Sequence, residues 1–257
     1  MKFMAYALFV WFVLAPGGAR LRAQQTAAPS AQPAQPAPID QEPHHHLMYA
    51  TSDIQIYDVL VPPGQSALMY QQNLDYLTIT LAASTVSVDS PGQPPRSLKL
   101  PEGAVRFTTG GSVYTLTSDG SQPYHALSIK FLNPALTGNG CRCNGDPADA
   151  VCDCPGARPL PPSWSLEIGK VFLRGVTLAP GATYDNDSTK TTRFLVTVTP
   201  FDVLDNTIHE PKSLEVRLPV GRYHWLGPGP HEIQNLESKP LRFVCVEFAG
   251  TSFQNQD

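Results

Sequence analysis

Val59-Leu-Val-Pro-Pro-Gly64 and Val176-Thr-Leu-Ala-Pro-Gly181 are the same apolar run closed by the same Pro-Gly turn, 117 residues apart. Outward from that pair, Leu77, Ile79 and Leu81 match Phe194, Val196 and Val198 at the same offset. The register slips by one at Leu100-Pro-Glu-Gly103 and Phe107, which match Leu218-Pro-Val-Gly221 and Trp225 at 118. It returns to 117 for Pro123 with Pro240 and Phe131 with Phe248. A register held over this length marks an internal repeat. The chain therefore carries two copies of one unit, over 51–135 and 166–250, each long enough to bury its own core unless the two share one.

The unit is built of strands. Asp75-Tyr-Leu-Thr-Ile-Thr-Leu81, Val113-Tyr-Thr-Leu-Thr117, Arg193-Phe-Leu-Val-Thr-Val-Thr199 and Leu241-Arg-Phe-Val-Cys-Val-Glu-Phe248 alternate apolar and polar residues, the pattern of half-buried strands. No stretch of a dozen residues has helical periodicity. The 26 prolines among 257 residues are about 10% of the chain, twice ordinary usage, which fits many short elements separated by turns. The fold class is all-β. With 18 basic against 22 acidic residues and no Lys/Arg run, the chain lacks the basic patch that phosphate-driven nucleic-acid binding needs.

At the N-terminus, Lys2 precedes the apolar run Phe3 to Leu14, Pro16-Gly17-Gly18 break it, and the small residue Ala23 follows. This reads as a signal peptide over 1–23. The run is too short for a membrane span, which takes about 20 residues, so none is expected after cleavage. Loss of Lys2, Arg20 and Arg22 leaves 15 basic against 22 acidic residues. Residues 24–50, rich in Ala, Gln and Pro, read as a disordered linker. His44, His45 and His46 close it, as an exposed polar tract or as loose metal ligands.

Each repeat has a Pro-Gly turn, a strand pair, a Leu-Pro-x-Gly turn, an aromatic strand, a Gly-rich turn and a final strand pair. This arrangement resembles the cupin superfamily in its two-domain form, the bicupins. The resemblance implies two tandem double-stranded β-helix, jelly-roll-like barrels, each enclosing a small pocket. It also implies a metal held by histidines and a carboxylate, in the patterns G-x5-H-x-H-x3-4-E-x6-G and G-x5-P-x-G-x2-H-x3-N.

Those ligands are mostly missing. From Gly64 the first-pattern histidines fall on Tyr70 and Gln72, and Asp75 sits one position short of the glutamate. From Gly181 they fall on Asp187 and Thr189, with Arg193 in the place of the acid. In the second pattern Gly103 and Gly111 are kept, but Thr109, Tyr114 and Ser118 replace Pro, His and Asn. Only Gly221, Gly229, His231 and Asn235 recover H-x-x-x-N. His231 is thus the one retained ligand, and a metal there needs unfamiliar partners such as Asp185, Asp187, His224 or Glu247. No cofactor is expected, a divalent transition metal being the alternative. Asn235, Tyr114 and His224 are the candidate ligand-binding residues. Asp185 reads as part of a polar loop, Glu247 as a solvent-facing carboxylate, and Asn186-Asp-Ser188 as a glycosylation acceptor.

Cys141-Arg-Cys143 and Cys152-Asp-Cys154 stand in the Pro-rich connector 136–165. In an oxidising compartment they read as two disulfides, Cys141 with Cys154 and Cys143 with Cys152 or crossed, with a four-thiolate metal site as the rival. Cys245 reads as a small buried hydrophobe, and 251–257 as a tail. The reading is a secreted or periplasmic protein that binds a small molecule or protein partner without catalysis. Its rivals are a metal-dependent isomerase or oxygenase around His231 and a structural envelope protein. By analogy with the family, a homodimer is the expected oligomer.

Overall fold

The structure, a computed structural model, describes residues 36–138, 140, 151–152, 163–186, 191–208, 213–227 and 229–249. The first copy runs through β1 (Ala37–Pro38), a 3-10 turn (Ile39–Gln41), β2 (His45–Ala50), β3 (Ile54–Val61), β4 (Tyr70–Gln72), β5 (Tyr76–Thr80), β6 (Ser84–Asp89), β7 (Arg96–Leu100), β8 (Val105–Thr108), β9 (Ser112–Ser118) and β10 (Tyr124–Phe131). The second runs through β11 (Trp164–Ile168), β12 (Val171–Leu178), β13 (Thr183–Asn186), β14 (Thr192–Thr197), β15 (Phe201–Thr207), β16 (Ser213–Leu218), β17 (Tyr223–Leu226), β18 (His231–Asn235) and β19 (Leu241–Phe248). In the first copy the sheet β1-β4-β9-β6-β7 packs on β2-β3-β10-β5-β8, and in the second β13-β18-β15-β16 packs on β11-β12-β19-β14-β17. The two sheets of each copy stay separate, so each copy is a jelly-roll sandwich with two inner faces and not a closed barrel.

Alternation along the strands sorts the apolar residues into three cores. On β3, Tyr57, Val59 and Val61 point into the first sandwich, while Ile54 and Ile56 point out of it. On β19, Phe243 and Cys245 point into the second sandwich, while Val244, Val246 and Phe248 point out. The outward residues of both copies form one cluster that includes Leu77, Ile79, Phe131, Phe194 and Val196. Each copy therefore has its own core, and a third core joins them. The joining sheets are buried on both faces, which is why their strands read as long apolar runs.

The junction repeats the internal symmetry. Phe131 and Phe248 meet with centroids 6.5 Å apart. Gly103 (φ 76°) and Gly221 (φ 79°) turn the chain in the left-handed region that favours glycine. A Cβ on Gly103 would stand 2.7 Å from Arg242 Nη2, and one on Gly221 would stand 2.7 Å from Leu81 Cδ1. Arg242 donates across the junction to Glu102 Oε1 at 2.9 Å and to the Glu102 carbonyl at 2.8 Å. His125, at the matching place in the first copy, bonds Asp58 at 2.8 Å, and that contact leads the lowering of the Asp58 pKa.

The expected linker 24–50 needs correction over its last fifteen residues. β1 pairs parallel with β4 at the edge of one sheet, and β2 pairs with β3 at the edge of the other. Ile39 is buried in the first core. Between them the Glu42 carboxylate accepts from Leu68 N at 3.1 Å and contacts His44 Nδ1 at 2.9 Å and His45 Nδ1 at 2.5 Å. A side chain with no exposed surface so fully engaged is what lets this polar segment fold. His44 lies in the turn before β2, and of the two histidines on β2 His45 is buried and His46 exposed, so the histidine tract is only in part an exposed one. Residues 1–35, including the expected signal peptide, lie outside the described residues.

Candidate functional site

In the first sandwich the backbone register puts Tyr70 on β4 opposite Tyr114 on β9. Tyr76, the residue after Asp75 and hence at the family's glutamate position, enters from β5. Tyr70 donates to the Tyr114 hydroxyl at 2.9 Å, and the hydroxyls of Tyr76 and Tyr114 are 2.8 Å apart. Three phenols thus stand where the cupin pattern has two imidazoles and a carboxylate. Burial holds the Tyr70 and Tyr114 hydroxyls well above the usual phenol range, and raises Tyr76 and Tyr124 as well. All four remain neutral donors at any physiological pH.

Beside this trio lies a cavity of about 340 Å³ between the two sheets. Val86, Val88, Leu98, Leu100 and Leu116 supply one wall from β6, β7 and β9. Tyr76, Thr78, Thr80, Arg106 and Thr108 supply the other from β5 and β8. Tyr114 and Tyr124 reach the same space. A volume of this size suits a small organic molecule.

In the second sandwich the same register sets Asn186 on β13 opposite His231 on β18. Arg193 on β14 pairs with Glu247 as Tyr76 pairs with Lys130, so a fully buried guanidinium occupies the acid's position. Its Nη2 donates to the Gly229 carbonyl. Burial lowers its pKa, opposed by the nearby Cys245, Glu247, Tyr184 and Asp205. Asp205 on β15 bridges two rings, with Oδ1 2.7 Å from His231 Nδ1 and Oδ2 2.8 Å from His224 Nε2. Burial alone would push this carboxyl up, but the bonds from His224 and His231 outweigh it and bring the pKa down to about 2.

A metal does not fit these donors. His231 Nδ1 faces the Asp205 carboxylate and Nε2 faces the Gly227 carbonyl at 3.2 Å, so neither ring nitrogen directs a lone pair at an open position. The neighbouring Arg193 brings positive charge where a divalent cation would sit. Phenols held neutral by burial are poor ligands in the first sandwich. Among the described residues, no group of three or more His, Cys, Asp or Glu side chains could hold a metal ion.

Position by position, the two copies diverge in a way that explains their contents. Asp205 of the second copy stands where the first has Val88, since Val88 pairs with Leu116 and Asp205 with Ile233. His224 stands where the first has Arg106, opposite Leu195 and Thr78. The carboxylate gathers both imidazoles at the centre of the second sandwich, while valine holds nothing polar and leaves room in the first. Tyr70, Tyr76, Arg106 and Asp205 were not singled out by sequence as ligand-binding residues. The 117-residue offset carries the signal, because it places Tyr76 on Arg193 and Tyr114 on His231.

Other expected sites are reassigned. Asn235 is buried, and its Nδ2 donates to the carbonyls of Leu178, Ala179 and Lys239 while Oδ1 accepts from Glu237 N. It fastens two turns and has nothing left for a ligand, as Ser118 does in the first copy with Gln122 and Tyr124. Asn186 is 4% exposed, with Nδ2 against Cys245 Sγ, which is no position for a glycan. Asp185 is on a strand and not in a loop, and Asp187 lies outside the described residues. Glu247 shares the inward face of Cys245, where it accepts from Thr191 at 2.5 Å, and is not a freely solvated carboxylate. Cys245 is buried and free, its thiol pushed up to about 11 by burial. Of the connector cysteines, Cys141, Cys143 and Cys154 lie outside the described residues, and Cys152 is among the residues that line the cavity.

No protein-family profile matches this sequence, and no curated protein does. Solved structures match the fold. AerE from Microcystis aeruginosa superposes with a TM-score of 0.56 at 11% identity, over 83% of this chain and 96% of that one. Lactobacillus farciminis oxalate decarboxylase, solved as a formate complex, gives 0.51 at 11% identity, over 77% of each chain. Salicylate 1,2-dioxygenase from Pseudaminobacter salicylatoxidans gives 0.52 at 10% identity, over 78% of this chain and 72% of that one.

Proposed function

We propose that this chain, which has the two-domain cupin fold, is a non-catalytic binding protein whose N-terminal sandwich holds a small organic molecule. The observation that carries the reading is the roughly 340 Å³ cavity beside three neutral phenols at the family's ligand positions. Neutral hydroxyls orient a guest by hydrogen bonding and supply neither a general base nor a metal centre. The second sandwich, with its Arg193, Asp205, His224 and His231 cluster, is a structural half in this reading. Secretion or export to a periplasm and two disulfide staples in the connector belong to the same proposal, supported by the N-terminal apolar run and the C-x-C pairs. No described helix is long and apolar enough to cross a membrane.

The test is a thermal-shift screen of small acids, alcohols and sugars against the wild type and Thr78→Trp, which fills the cavity from β5, with elemental analysis on the same samples. The expected result is stabilisation of the wild type alone, with no stoichiometric metal. Compounds that stabilise both proteins equally, or stoichiometric manganese, iron, copper, nickel or zinc that is lost in His231→Ala, would overturn the reading. The second outcome would favour the metal-dependent enzyme.

A further inference from the structure

We propose that the base of the first sandwich carries a second binding site, a groove that takes a tetrahedral oxyanion, the phosphate or sulfate group of a small molecule. This goes beyond the cavity reading above and does not depend on it. The groove has a volume of about 370 Å³ and is formed by the start of β6, the end of β7 and the turns that follow β7 and β9. Its polar lining is Ser84, Thr85, Lys99, Ser121 and Gln122. Leu100 borders both this groove and the cavity.

The internal repeat shows why the groove is there. Ser84 pairs with Leu100 as Phe201 pairs with Leu218, so Ser84 and Phe201 hold one repeat position. Phe201 is 1% exposed and packs on Phe243 with centroids 5.9 Å apart. The first copy has Ser84 and Ala126 in place of those two rings. Aromatic bulk fills the base of the second sandwich, and its loss opens the base of the first. The Ser84 hydroxyl is buried and bonds no described group. An unsatisfied buried hydroxyl is costly, and its single side-chain torsion lets it turn to an acceptor in the groove that Ser84 lines.

The two copies differ here in charge as well. Lys99 pairs with Thr85 as Arg217 pairs with Asp202. In the second copy Arg217 Nε meets Asp202 Oδ2 at 3.0 Å, and its Nη2 donates to Glu215. In the first copy those two carboxylates are replaced by Thr85 and Ser97, and Lys99 has no ion-pair partner among the described residues. Asp119, at the start of the turn after β9, accepts from Ser87 at 2.5 Å. An ammonium without its carboxylate, beside hydroxyls and an amide that donate, is a place for an anion. Lysine is a compact point charge with three donors where arginine is a planar fork. With further donors coming from β6 and from a separate turn, the arrangement suits a rounded tetrahedral anion over a flat carboxylate.

The experiment follows backbone amide shifts by NMR while inorganic phosphate, glycerol phosphate, sulfate and the dicarboxylate malonate are titrated at constant ionic strength. The proteins are the wild type, Ser84→Ala, Ser84→Phe, Lys99→Gln and Lys99→Arg, each first shown to melt cooperatively. Expected are saturable shifts centred on Lys99 and on Gly120 to Gln122, with the tetrahedral anions about fivefold or more tighter than malonate. Affinity should fall in Ser84→Ala, vanish in Lys99→Gln and in Ser84→Phe, which gives the first copy the second copy's residue, and return in part in Lys99→Arg. Glycerol phosphate that binds where inorganic phosphate does not would place the group on an ester, and binding of both would show that the group alone suffices; either result supports the site. Malonate as tight as sulfate would overturn the tetrahedral class, and the same shifts surviving Ser84→Phe or Lys99→Gln would overturn the groove. An unsaturable drift spread over other lysines and arginines, or no shift at all, would overturn the site as a whole.

Discussion

Phe131 and Phe248 are the same position of the repeat in its two copies, and they meet edge to face across the junction with ring centroids 6.5 Å apart. Phe248 also stacks on Phe194 at 5.9 Å, and Phe131 packs on Phe107 at 6.1 Å. Both rings are essentially unexposed. Truncating either to alanine removes contacts from both halves, at about 3–5 kcal/mol each. In urea denaturation, Phe131→Ala and Phe248→Ala are each expected to cost that much, and the double variant less than their sum because they share one contact. Strict additivity would show that the two rings do not interact.

Three glycines separate strain from crowding. Gly64 has φ 72° with nothing within 4 Å of a Cβ, so Gly64→Ala meets only the left-handed penalty of about 1–2 kcal/mol. Gly221→Ala adds a contact of 2.7 Å with the buried Leu81 and is expected to be the most destabilising. Gly103→Ala meets the end of the flexible Arg242 side chain and falls between them. Melting temperatures ordered otherwise would contradict the junction geometry.

Two buried carboxylates set the acid limit. The pKa of Glu42 falls from 4.5 to about 2, with the bonds from His45, His44 and Leu68 outweighing burial, and that of Asp205 falls from 3.8 to about 2. Depressed carboxylates stabilise the fold above their unfolded pKa, and that contribution disappears as pH falls towards the folded value. The Glu42 shift corresponds to at most about 3 kcal/mol and the Asp205 shift to at most about 2 kcal/mol. Stability is therefore expected to fall between about pH 4.5 and 2, and Glu42→Gln or Asp205→Asn should flatten part of that slope. An unchanged slope in both variants would remove these clusters as its cause.

Reduction tests the connector. Opening staples worth about 2–4 kcal/mol each should lower the melting temperature by about 5 °C or more. Wild-type protein with four reactive connector thiols and no change on reduction would refute the pairing.

The architecture was legible because strand alternation and a 117-residue offset both survive in apolar residues, where size and period are enough. The contents of the two sandwiches were less so. Arg193 was visible as a residue in an acid's place, but its burial depends on partners from β19 and the β17–β18 turn that no local pattern announces. Asn235 matched a motif position and proved to fasten two turns, since a buried amide serves backbone carbonyls as readily as a guest. The arm 36–50 read as disordered because Ala, Pro and Gln bury little. One carboxylate, Glu42, together with Ile39, reverses that by engaging groups in β2 and the loop before β4.

The shared third core makes the two halves interdependent. A single copy alone would expose the apolar face that carries Phe131 or Phe248, so neither half is expected to stay monomeric and folded without the other. Within that common frame the interiors are free to differ, as Asp205 and Val88 at one repeat position do: an ionic cluster fills one sandwich and an aliphatic wall borders a cavity in the other.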